Sequence, residues 1–169
     1  VIRKGCTPAF PGQQGFVGST MGEESVILEG TDEGEKALYS TVHGAGRVMS
    51  RNEAAGKRRM GLGCSNPGCD WAQPLKAGKP KACPKCGSRK LVKRWVQVSP
   101  GKIDFEAVKK ELERKGIVLR GGAADEAPAA YKRLEQVLAD HGDTVRVIHR
   151  LHPLGVAMAG PEVYDPYKD

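Results

Sequence analysis

The chain has 169 residues, of which 39% are apolar and 28% are charged, a balance typical of one globular domain with a small insertion. Its longest apolar runs are a handful of residues, well short of the ~20 that a membrane-spanning helix needs, and no charged and apolar leader opens the sequence. These features exclude a membrane-spanning helix and predict a cytoplasmic protein with a formal charge of +7.

The N-terminal part of the chain predicts a loop, two short strands and the start of a helix. Residues 1–25 are rich in Gly, Pro, Ser and Thr and are interpreted as loop. Apolar and β-branched residues predict strands over 25–29 and 37–42, joined by a polar turn. A helix is expected to begin near Ser50, because Glu53 follows it at the spacing of a capping box.

The C-terminal part of the chain predicts two helices and several strands. Apolar residues recur at helical spacing over 105–116, and a short strand follows over 117–119. A second helix is predicted over 129–140 and an extended strand pair over 145–158, broken at Pro153. Helices and strands mix without a regular β-α-β alternation, so the predicted fold class is α+β.

The positive charge is concentrated in one segment. Between Lys57 and Arg94 there are eleven Lys and Arg residues and one acid, Asp70, a net charge of +10. The rest of the chain is therefore −3. A local field of a single sign favours a polyanionic partner such as nucleic acid. The alternative is a basic surface that only keeps the protein in solution.

Four of the five cysteines lie inside the same basic segment, as Cys64, Cys69, Cys83 and Cys86. Each close pair brings two sulfurs onto one tight turn, and two such turns facing each other form a tetrahedral cage for Zn²⁺. Disulfides are disfavoured because nothing indicates secretion, whereas an iron site with four thiolates remains a competitor. Residues 62–98 are interpreted as an inserted zinc ribbon, and Cys6 as a packed or free thiol.

Two tryptophans accompany these cysteines. Trp71 and Trp95 flank the site among basic residues, a mixture that suits single-stranded RNA because it offers stacking faces and phosphate partners. The rings could equally pack against the ribbon's own strands, and the metal could simply hold a loop together. RNA contact is the favoured interpretation.

A histidine beside small residues is the main candidate for chemistry. His43 follows an apolar strand and precedes Gly44-Ala45-Gly46, where a ligand can approach the backbone and N–H groups can cradle phosphate. Arg47 and Arg51 are four residues apart and are expected on one helical face. His43 could act as acid, base, metal ligand or nucleophile, or be a structural histidine beside a glycine turn. The other histidines are interpreted as structural: His141, His149 and His152.

Several of these motifs together resemble the C-terminal part of RtcB-type RNA ligases. The segments that carry the resemblance are Arg3-Lys4-Gly5, residues 18–25 (GSTMGEES), residues 43–47 (HGAGR) with Ser50-Arg51, and residues 105–116, 126–131 (EAPAAY) and 150–155 (RLHPLG). The similarity covers nearly all of the chain outside residues 62–98, which look like an insertion after the HGAGR element.

The resemblance implies a reaction and its residues. In that family an RNA 3′-phosphate or 2′,3′-cyclic phosphate end is joined to a 5′-hydroxyl end with GTP and Mn²⁺, as in tRNA splicing and RNA repair. The family's nucleophile matches His43, which would attack the α-phosphorus of GTP and carry GMP. The positions that hold the nucleotide match Gly18, Ser19, Thr20, Met21, Ser25, Gly44, Ala45 and Gly46. Arg47 and Arg51 are the candidates for holding RNA or nucleotide phosphate.

The chain departs from the family pattern in two respects. The family ends in a short tail whose lysine contacts guanine, whereas here Met158 occupies that place and Lys168 is expected to substitute. The family's Mn²⁺ ligands lie upstream of the matching region, and no residue here replaces them. We therefore expect the C-terminal portion of a ligase, inactive without the upstream part. Archease, a small activator of family members, is a candidate partner by resemblance.

The predicted organisation is a ligase core over 1–61, an inserted zinc ribbon over 62–98 and the C-terminal part of the core over 99–169. The alternative function is a non-catalytic zinc-ribbon module that binds RNA on a ligase-derived scaffold. A third hypothesis is a family relative that acts on another phosphorylated end, such as that of DNA.

Overall fold

The computed structural model describes residues 1–159, which belong to two compact units. Residues 1–50 and 103–159 form the first, here called the core unit, and residues 51–102 form the second, the cysteine unit. Each unit contains strands and helical segments, so the predicted α+β class is confirmed. No helix among these residues has the length and apolar character needed to cross a membrane.

Residues 1–159 contain ten short strands and three α-helices. The strands are β1 (Cys6–Pro8), β2 (Gln14–Val17), β3 (Ser25–Gly30), β4 (Ser40–Val42), β5 (Arg58–Cys64), β6 (Ala72–Pro74), β7 (Leu91–Gln97), β8 (Val118–Arg120), β9 (Val145–Leu151) and β10 (Gly155–Ala157). The α-helices are α1 (Arg51–Ala55), α2 (Phe105–Arg114) and α3 (Leu134–His141), and the 3₁₀ helices are Asp32–Ala37, Leu75–Ala77, Ala124–Glu126 and Pro128–Ala130.

A three-stranded antiparallel sheet in the order β2-β3-β9 covers the main hydrophobic core of the core unit. Successive side chains of a strand point to opposite faces, and in β3 this alternation buries Val26 and Leu28 completely. They pack with Val17 of β2, with Leu134 of α3 and with Ala45, which lies in the loop after β4. The predicted strand over 25–29 is therefore confirmed, because its apolar alternation matches a half-buried strand.

The structure differs from the prediction before and after β3. Residues 1–25 are not all loop: they contain β1, which pairs with β4, and β2, which pairs with β3. The strand predicted over 37–42 begins only at Ser40, because a 3₁₀ helix precedes it and Leu38 and Tyr39 take positive φ values of 51° and 49°. β3 and β4 consequently lie in different sheets and do not form a hairpin.

Helix α2 agrees with the sequence analysis. Its N-cap is Asp104, whose carboxylate accepts hydrogen bonds from the backbone N–H groups of Glu106 at 3.0 Å and Ala107 at 3.2 Å. Its apolar face buries Leu112 in a second small core with Met21 and Ile117. This core lies against the loop that follows β2, because Met21 belongs to that loop.

Two C-terminal elements differ from the prediction. Helix α3 begins at Leu134 rather than near Ala129, because Pro128 starts a separate 3₁₀ helix and Arg133 is extended. The strands of 145–158 are present but do not pair with each other. Instead, β9 pairs antiparallel with β3 and β10 pairs parallel with β8.

Replacing Gly30 with alanine is expected to destabilise the core unit by about 3 kcal/mol. A Cβ atom on Gly30 would lie 2.3 Å from the carbonyl oxygen of Phe10 and 2.4 Å from that of Ala9, and backbone oxygens cannot move aside as a flexible side chain can. Chemical denaturation followed by circular dichroism measures the change. The matched control is Gly15→Ala in β2, whose new Cβ would lie 3.8 Å from Leu28, an ordinary contact. Equal losses in the two variants would contradict the packing argument.

The cysteine unit is built on a three-stranded antiparallel sheet in the order β6-β5-β7. The side chain of Arg94 in β7 lies over Gly63 in β5. A Cβ atom on Gly63 would lie only 2.0 Å from Cδ of Arg94, so this packing requires a glycine. The buried apolar side chains of this unit include Ala54, Leu62 and Val96, a small set for about fifty residues. A unit with so little core needs another source of stability.

Candidate functional site

A cavity of about 820 Å³ opens in the core unit between two loops and β10. The loop after β2 and the loop after β4 lie side by side, because Gly18 and Gly44 pair as an isolated parallel bridge. Ten of the residues predicted for a nucleotide site line this cavity: Gly18, Ser19, Thr20, Met21, Ser25, His43, Gly44, Ala45, Gly46 and Arg47. Segments that are distant in sequence are thus brought together.

His43 follows β4 directly and is exposed to the cavity. Gly5 lies beside the ring, where a Cβ would be 3.8 Å from Nε2, and its φ of 75° is one that glycine adopts readily. The imidazole is therefore open to a ligand on the cavity side. An exposed ring nitrogen in a cavity can act as a nucleophile.

The loop after β2 is held in shape by its own polar groups. The backbone N–H of Ser19 donates to Oγ of Ser25 at 3.2 Å, and Oγ of Ser19 donates to a carboxylate oxygen of Glu23 at 3.1 Å. Oγ1 of Thr20 is buried and has no hydrogen-bond partner within residues 1–159. A buried hydroxyl in this state is stabilised by a polar ligand group, so Thr20 indicates a place for one.

Met21 and Ala45 contribute apolar surface to the cavity wall rather than polar groups. Met21 is buried in the core with Leu112 and Ile117, and Ala45 belongs to the core beneath the main sheet. Both shape the wall of the cavity with apolar surface and backbone. Their side chains offer no polar contact.

Arg47 belongs to a polar network at the cavity wall. Its Nη1 donates to the hydroxyl of Tyr131 at 2.8 Å and lies 3.7 Å from the carboxylate of Glu126, and the guanidinium lies 4.7 Å from the centre of the Tyr131 ring. Tyr131 donates in turn to Glu126. Desolvation and the Glu126 carboxylate raise the pKa of Tyr131, so this hydroxyl keeps its proton as a donor.

One guanidinium nitrogen of Arg47 takes no part in this network. Nε donates to the carbonyl oxygen of Met49 at 3.0 Å, while Nη2 is buried without a hydrogen-bond partner in the described part of the chain. A buried guanidinium nitrogen without an acceptor is costly, and a phosphate oxygen is a strong acceptor for it. Arg47 is therefore suited to hold an anionic group in the cavity.

Glu126 and Tyr131 were not predicted as site residues, although they stand in one of the motifs that carried the resemblance. The contacts of Tyr131 and Glu126 with Arg47 span 84 and 79 positions in the chain, and no local pattern indicates them. Strand β10 was also missed as part of the site, although all three of its residues, Gly155, Val156 and Ala157, line the cavity. Only pairing of β10 with β8 brings them there.

One of the predicted phosphate contacts is placed differently from the expectation, and one predicted nucleotide contact falls outside residues 1–159. Helix α1 begins at Arg51, so Arg47 precedes the helix, and the prediction that the two arginines share a helical face is wrong. Arg51 belongs to the cysteine unit. Lys168 lies outside the described residues. Met158, which the resemblance places at the position of the family's terminal lysine, lines the cavity.

The remaining histidines lie away from this cavity. Nδ1 of His141 lies 3.4 Å from the Thr144 hydroxyl, and Nδ1 of His152 lies 3.2 Å from the carboxylate of Glu24. His149 is exposed on β9. None of the three lines the cavity that His43 faces.

The four predicted cysteines of the cysteine unit converge. Their sulfurs all lie within 4.8 Å of one another, with Cys64 and Cys86 at 3.5 Å and Cys69 and Cys83 at 3.7 Å. All four are free thiols. Thiolates about 2.3 Å from a central Zn²⁺ lie ~3.8 Å apart at the corners of a tetrahedron, so the spacing suits such an ion.

Backbone turns and N–H donors prepare this cluster. Gly68 lies in the turn between Cys64 and Cys69 and Gly87 follows the turn at Cys86, with φ values of 79° and 74°. The backbone N–H and side-chain amide of Asn66 donate to Cys64 at 3.4 Å and to Cys86 at 3.6 Å. Donors of this kind stabilise thiolates and thereby favour a bound cation.

The thiols of the cluster differ in pKa. The Ser88 amide and the Asn66 side chain lower the pKa of Cys86 to about 6. The Trp71 amide lowers the pKa of Cys69, but desolvation and the neighbouring thiols outweigh it and raise that pKa to about 12. Four adjacent thiols cannot all ionise without a cation to offset their charge.

Comparison with known proteins identifies the family. Residues 1–61 match the family described as tRNA-splicing ligase RtcB. Over 92% of its length the chain is 30% identical to the RNA-splicing ligase RtcB of Mycobacterium tuberculosis, and over 93% it is 33% identical to the tRNA-splicing ligase RtcB of Archaeoglobus fulgidus. A segment of 68 aligned residues is 46% identical to the RNA-splicing ligase RtcB homolog 1 of Entamoeba dispar. The chain belongs to the RtcB family.

The match is uneven along the chain and along the relatives. This RtcB-family chain spans 30% of the mycobacterial protein and 27% of the archaeal one. The ten predicted residues that line the cavity all lie within the matched segment 1–61, whereas the four cysteines lie beyond it. The cavity is thus built from the part of the chain that matches the RtcB family description.

Proposed function

We propose that this chain supplies the GMP-accepting site of a GTP- and Mn²⁺-dependent RNA ligase, which joins 3′-phosphate or 2′,3′-cyclic phosphate ends to 5′-hydroxyl ends in tRNA splicing or RNA repair. The observation that carries the proposal is the cavity itself: His43 faces it together with Thr20 and Arg47, whose buried polar atoms have no partner within residues 1–159. Its volume lies within the ~300–1,000 Å³ of small-molecule sites.

In the proposed reaction, a ring nitrogen of His43 attacks the α-phosphorus of GTP. A nitrogen–phosphorus bond forms while the bond to the β-phosphate oxygen breaks, and pyrophosphate leaves. An oxygen of the RNA 3′-phosphate then attacks the same phosphorus and releases the imidazole. The 5′-hydroxyl, losing its proton to water, finally attacks the 3′-phosphorus, and GMP leaves. A cyclic phosphate is first opened by water.

The surroundings of His43 suit the first of these steps. Gly44 and Gly46 carry no side chain beside the nucleophile, and a Cβ on Gly46 would meet no atom within 4 Å, so a phosphate has room at the backbone. Arg47 would donate from Nη2 to a phosphate oxygen while Tyr131 and Glu126 hold its plane. Charge on the phosphate is thereby offset by a preorganised donor.

The described residues do not fit the Mn²⁺ that the family implies. Within residues 1–159, the one group of potential metal ligands whose atoms converge is the set of four cysteines, and it contains none of the oxygen or imidazole ligands that suit Mn²⁺. We therefore propose that the ligands of Mn²⁺ come from outside these residues. The relatives are more than three times as long as the matched segment, which is consistent with this assignment.

The cysteine cluster suits a different metal. We propose that Cys64, Cys69, Cys83 and Cys86 bind one Zn²⁺ in a closed tetrahedral site, as structural zinc sites do. The support is the convergence of four sulfurs at the edge lengths of such a site, in a unit with few buried apolar side chains. In this proposal the metal stabilises the fold of the cysteine unit.

Replacing Arg47 with lysine is expected to slow GMP transfer to the protein roughly 10- to 100-fold, because lysine keeps the charge but loses the planar donor pair. Single-turnover labelling with radioactive GTP and Mn²⁺ measures the rate on the chain in the presence of the upstream part that is proposed to supply the Mn²⁺ ligands. The matched control is Arg150→Lys, whose guanidinium pairs with Glu24 and Glu135 instead of lining the cavity. A normal rate in Arg47→Lys would show that the guanidinium does not hold the phosphate.

The experiment that tests the proposed function as a whole is a denaturing intact-mass measurement of this chain, purified together with the upstream part that is proposed to supply the Mn²⁺ ligands, after incubation with GTP and Mn²⁺. A covalent GMP adduct is expected on His43. Its dependence on that histidine is argued in the Discussion.

A further inference from the structure

One face of the sheet in the cysteine unit carries an aromatic ring among basic side chains. In the antiparallel pair β5-β7, Met60 lies opposite Trp95, and the flanking rows place Arg58 opposite Gln97 and Leu62 opposite Lys93. Directly opposed residues of antiparallel strands share a face, and so does every second residue along a strand. Trp95, Met60, Arg58 and Lys93 therefore lie on one face, which we call the Trp95 face.

The side chains of these four residues are open to solvent, whereas Leu62, which lies on the same face, is buried. Trp95 is 59% exposed and Met60 is 39% exposed, while Arg58 and Lys93 are exposed as well. Among residues 1–159 no aromatic ring or cation stacks on Trp95. A unit with so few buried apolar residues gains stability by burying a tryptophan, so an exposed indole here indicates a binding role.

The charge of the cysteine unit identifies the kind of partner. Residues 51–102 contain thirteen Lys and Arg residues and two acids, a net charge of +11, so the remainder of the chain is −4. Both acids are already paired, Glu53 with Lys102 at 2.6 Å and Asp70 with Lys85 at 2.5 Å. Even with two charges offset by a zinc tetrathiolate, the unit remains at +9. Its complement is a polyanion.

We infer that the Trp95 face binds single-stranded RNA, with an unpaired base stacked on Trp95 and backbone phosphates on Lys93 and Arg58. Lys93 stands two residues from Trp95 on the same strand, ~7 Å away, which lets one nucleotide reach the ring with its base and the ammonium with its phosphate. An indole face can stack only on a base that is not enclosed in a duplex. The choice of RNA rather than DNA rests on the proposed function.

The test is binding of a fluorescein-labelled uridine 12-mer with a 3′-hydroxyl end to the full chain, followed by fluorescence anisotropy without GTP. Trp95→Ala is expected to weaken binding about tenfold, and Trp95→Phe to retain most of it, because a smaller ring still stacks. A duplex of the same length is expected to bind at least tenfold more weakly. Unchanged binding by Trp95→Ala, or equal binding of the duplex, would overturn the inference.

Charge is tested separately from stacking. The double variant Arg58→Gln/Lys93→Gln is expected to make the slope of log affinity against log salt shallower by about 1.4, since each phosphate contact to a single strand contributes about 0.7. The matched control is Lys76→Gln/Lys81→Gln, which removes the same charge from exposed positions outside β5 and β7. An equal change in the control would show that the face has no specific role.

Further measurements separate this inference from folding and from the proposed function. Zinc content and the thermal unfolding midpoint of Trp95→Ala are expected to equal those of the unaltered chain, because the ring is exposed. None of the proposed contacts reaches the 2′-hydroxyl, so a thymidine 12-mer is expected to bind about equally well, and tenfold tighter binding of the thymidine 12-mer would overturn the choice of RNA. The binding assay needs neither GTP nor His43, so failure of GMP labelling with intact RNA binding would overturn only the proposed function.

Discussion

Replacing His43 with alanine is expected to abolish covalent attachment of GMP, a loss on the order of 10⁴-fold or more, because the variant has no nucleophile to form the nitrogen–phosphorus bond. The measurement is denaturing intact mass after incubation with GTP and Mn²⁺, made on the chain in the presence of the upstream part that is proposed to supply the Mn²⁺ ligands. The imidazole is exposed, so its removal is expected to leave the fold intact. Thermal unfolding checks this point.

The matched control for His43→Ala is His149→Ala. His149 is also exposed, lies on β9 and does not line the cavity, so this variant is expected to label normally. Retention of the adduct by His43→Ala would show that another group is the nucleophile. Labelling by ATP in place of GTP would contradict the proposed nucleotide.

Replacing Cys83 with serine is expected to remove zinc from the protein and to unfold the cysteine unit. Cys83 is only 2% exposed, and its sulfur lies 3.7 Å from that of Cys69 at the centre of the cluster. Structural zinc contributes roughly 10–16 kcal/mol of apparent binding free energy in small zinc domains, and this unit has little apolar core to compensate for its loss. Metal analysis and limited proteolysis of residues 51–102 measure the two effects.

Cys6→Ser is the control for this experiment. Cys6 is half-buried in β1 of the core unit, far along the chain from the cluster, and its variant is expected to keep one zinc per chain. Iron with visible absorption in place of zinc would contradict the assignment of the metal. Unaltered resistance to protease in Cys83→Ser would show that the metal does not stabilise the unit.

The features that could be predicted from the sequence are those formed by residues close to one another in the chain. Cysteine pairs on short turns bring their sulfurs together locally, and two such turns then need only to face each other. The small residues after His43 likewise lie next to it in the chain. Helix α2 was predicted because its apolar spacing, its cap at Asp104 and the glycine after it are all local.

Strands β1 and β2 could not be predicted in the same way. β1 and β2 are only three and four residues long, and Gly and Pro residues lie in or next to them. Such short segments have little β propensity of their own. β1 forms because Cys6 lies opposite Val42, a partner that the sequence does not indicate. Leu38 and Tyr39 adopt the left-handed backbone conformation just before β4, and this changes the direction of the chain there. Residues other than glycine seldom adopt that conformation, so the sequence does not indicate it.

The resemblance to the family, the convergence of the four cysteines and ten of the cavity residues could be predicted from the sequence by itself, because each rests on short contiguous motifs. Only the tertiary structure decided which groups act on Arg47, since Tyr131 and Glu126 reach it across more than seventy positions. It also decided that Trp95 faces solvent beside Arg58 and Lys93, because strand register sets which residues share a face. Residues adjacent in the chain indicate which functional groups a site contains, whereas the contacts that orient those groups depend on how distant segments pack.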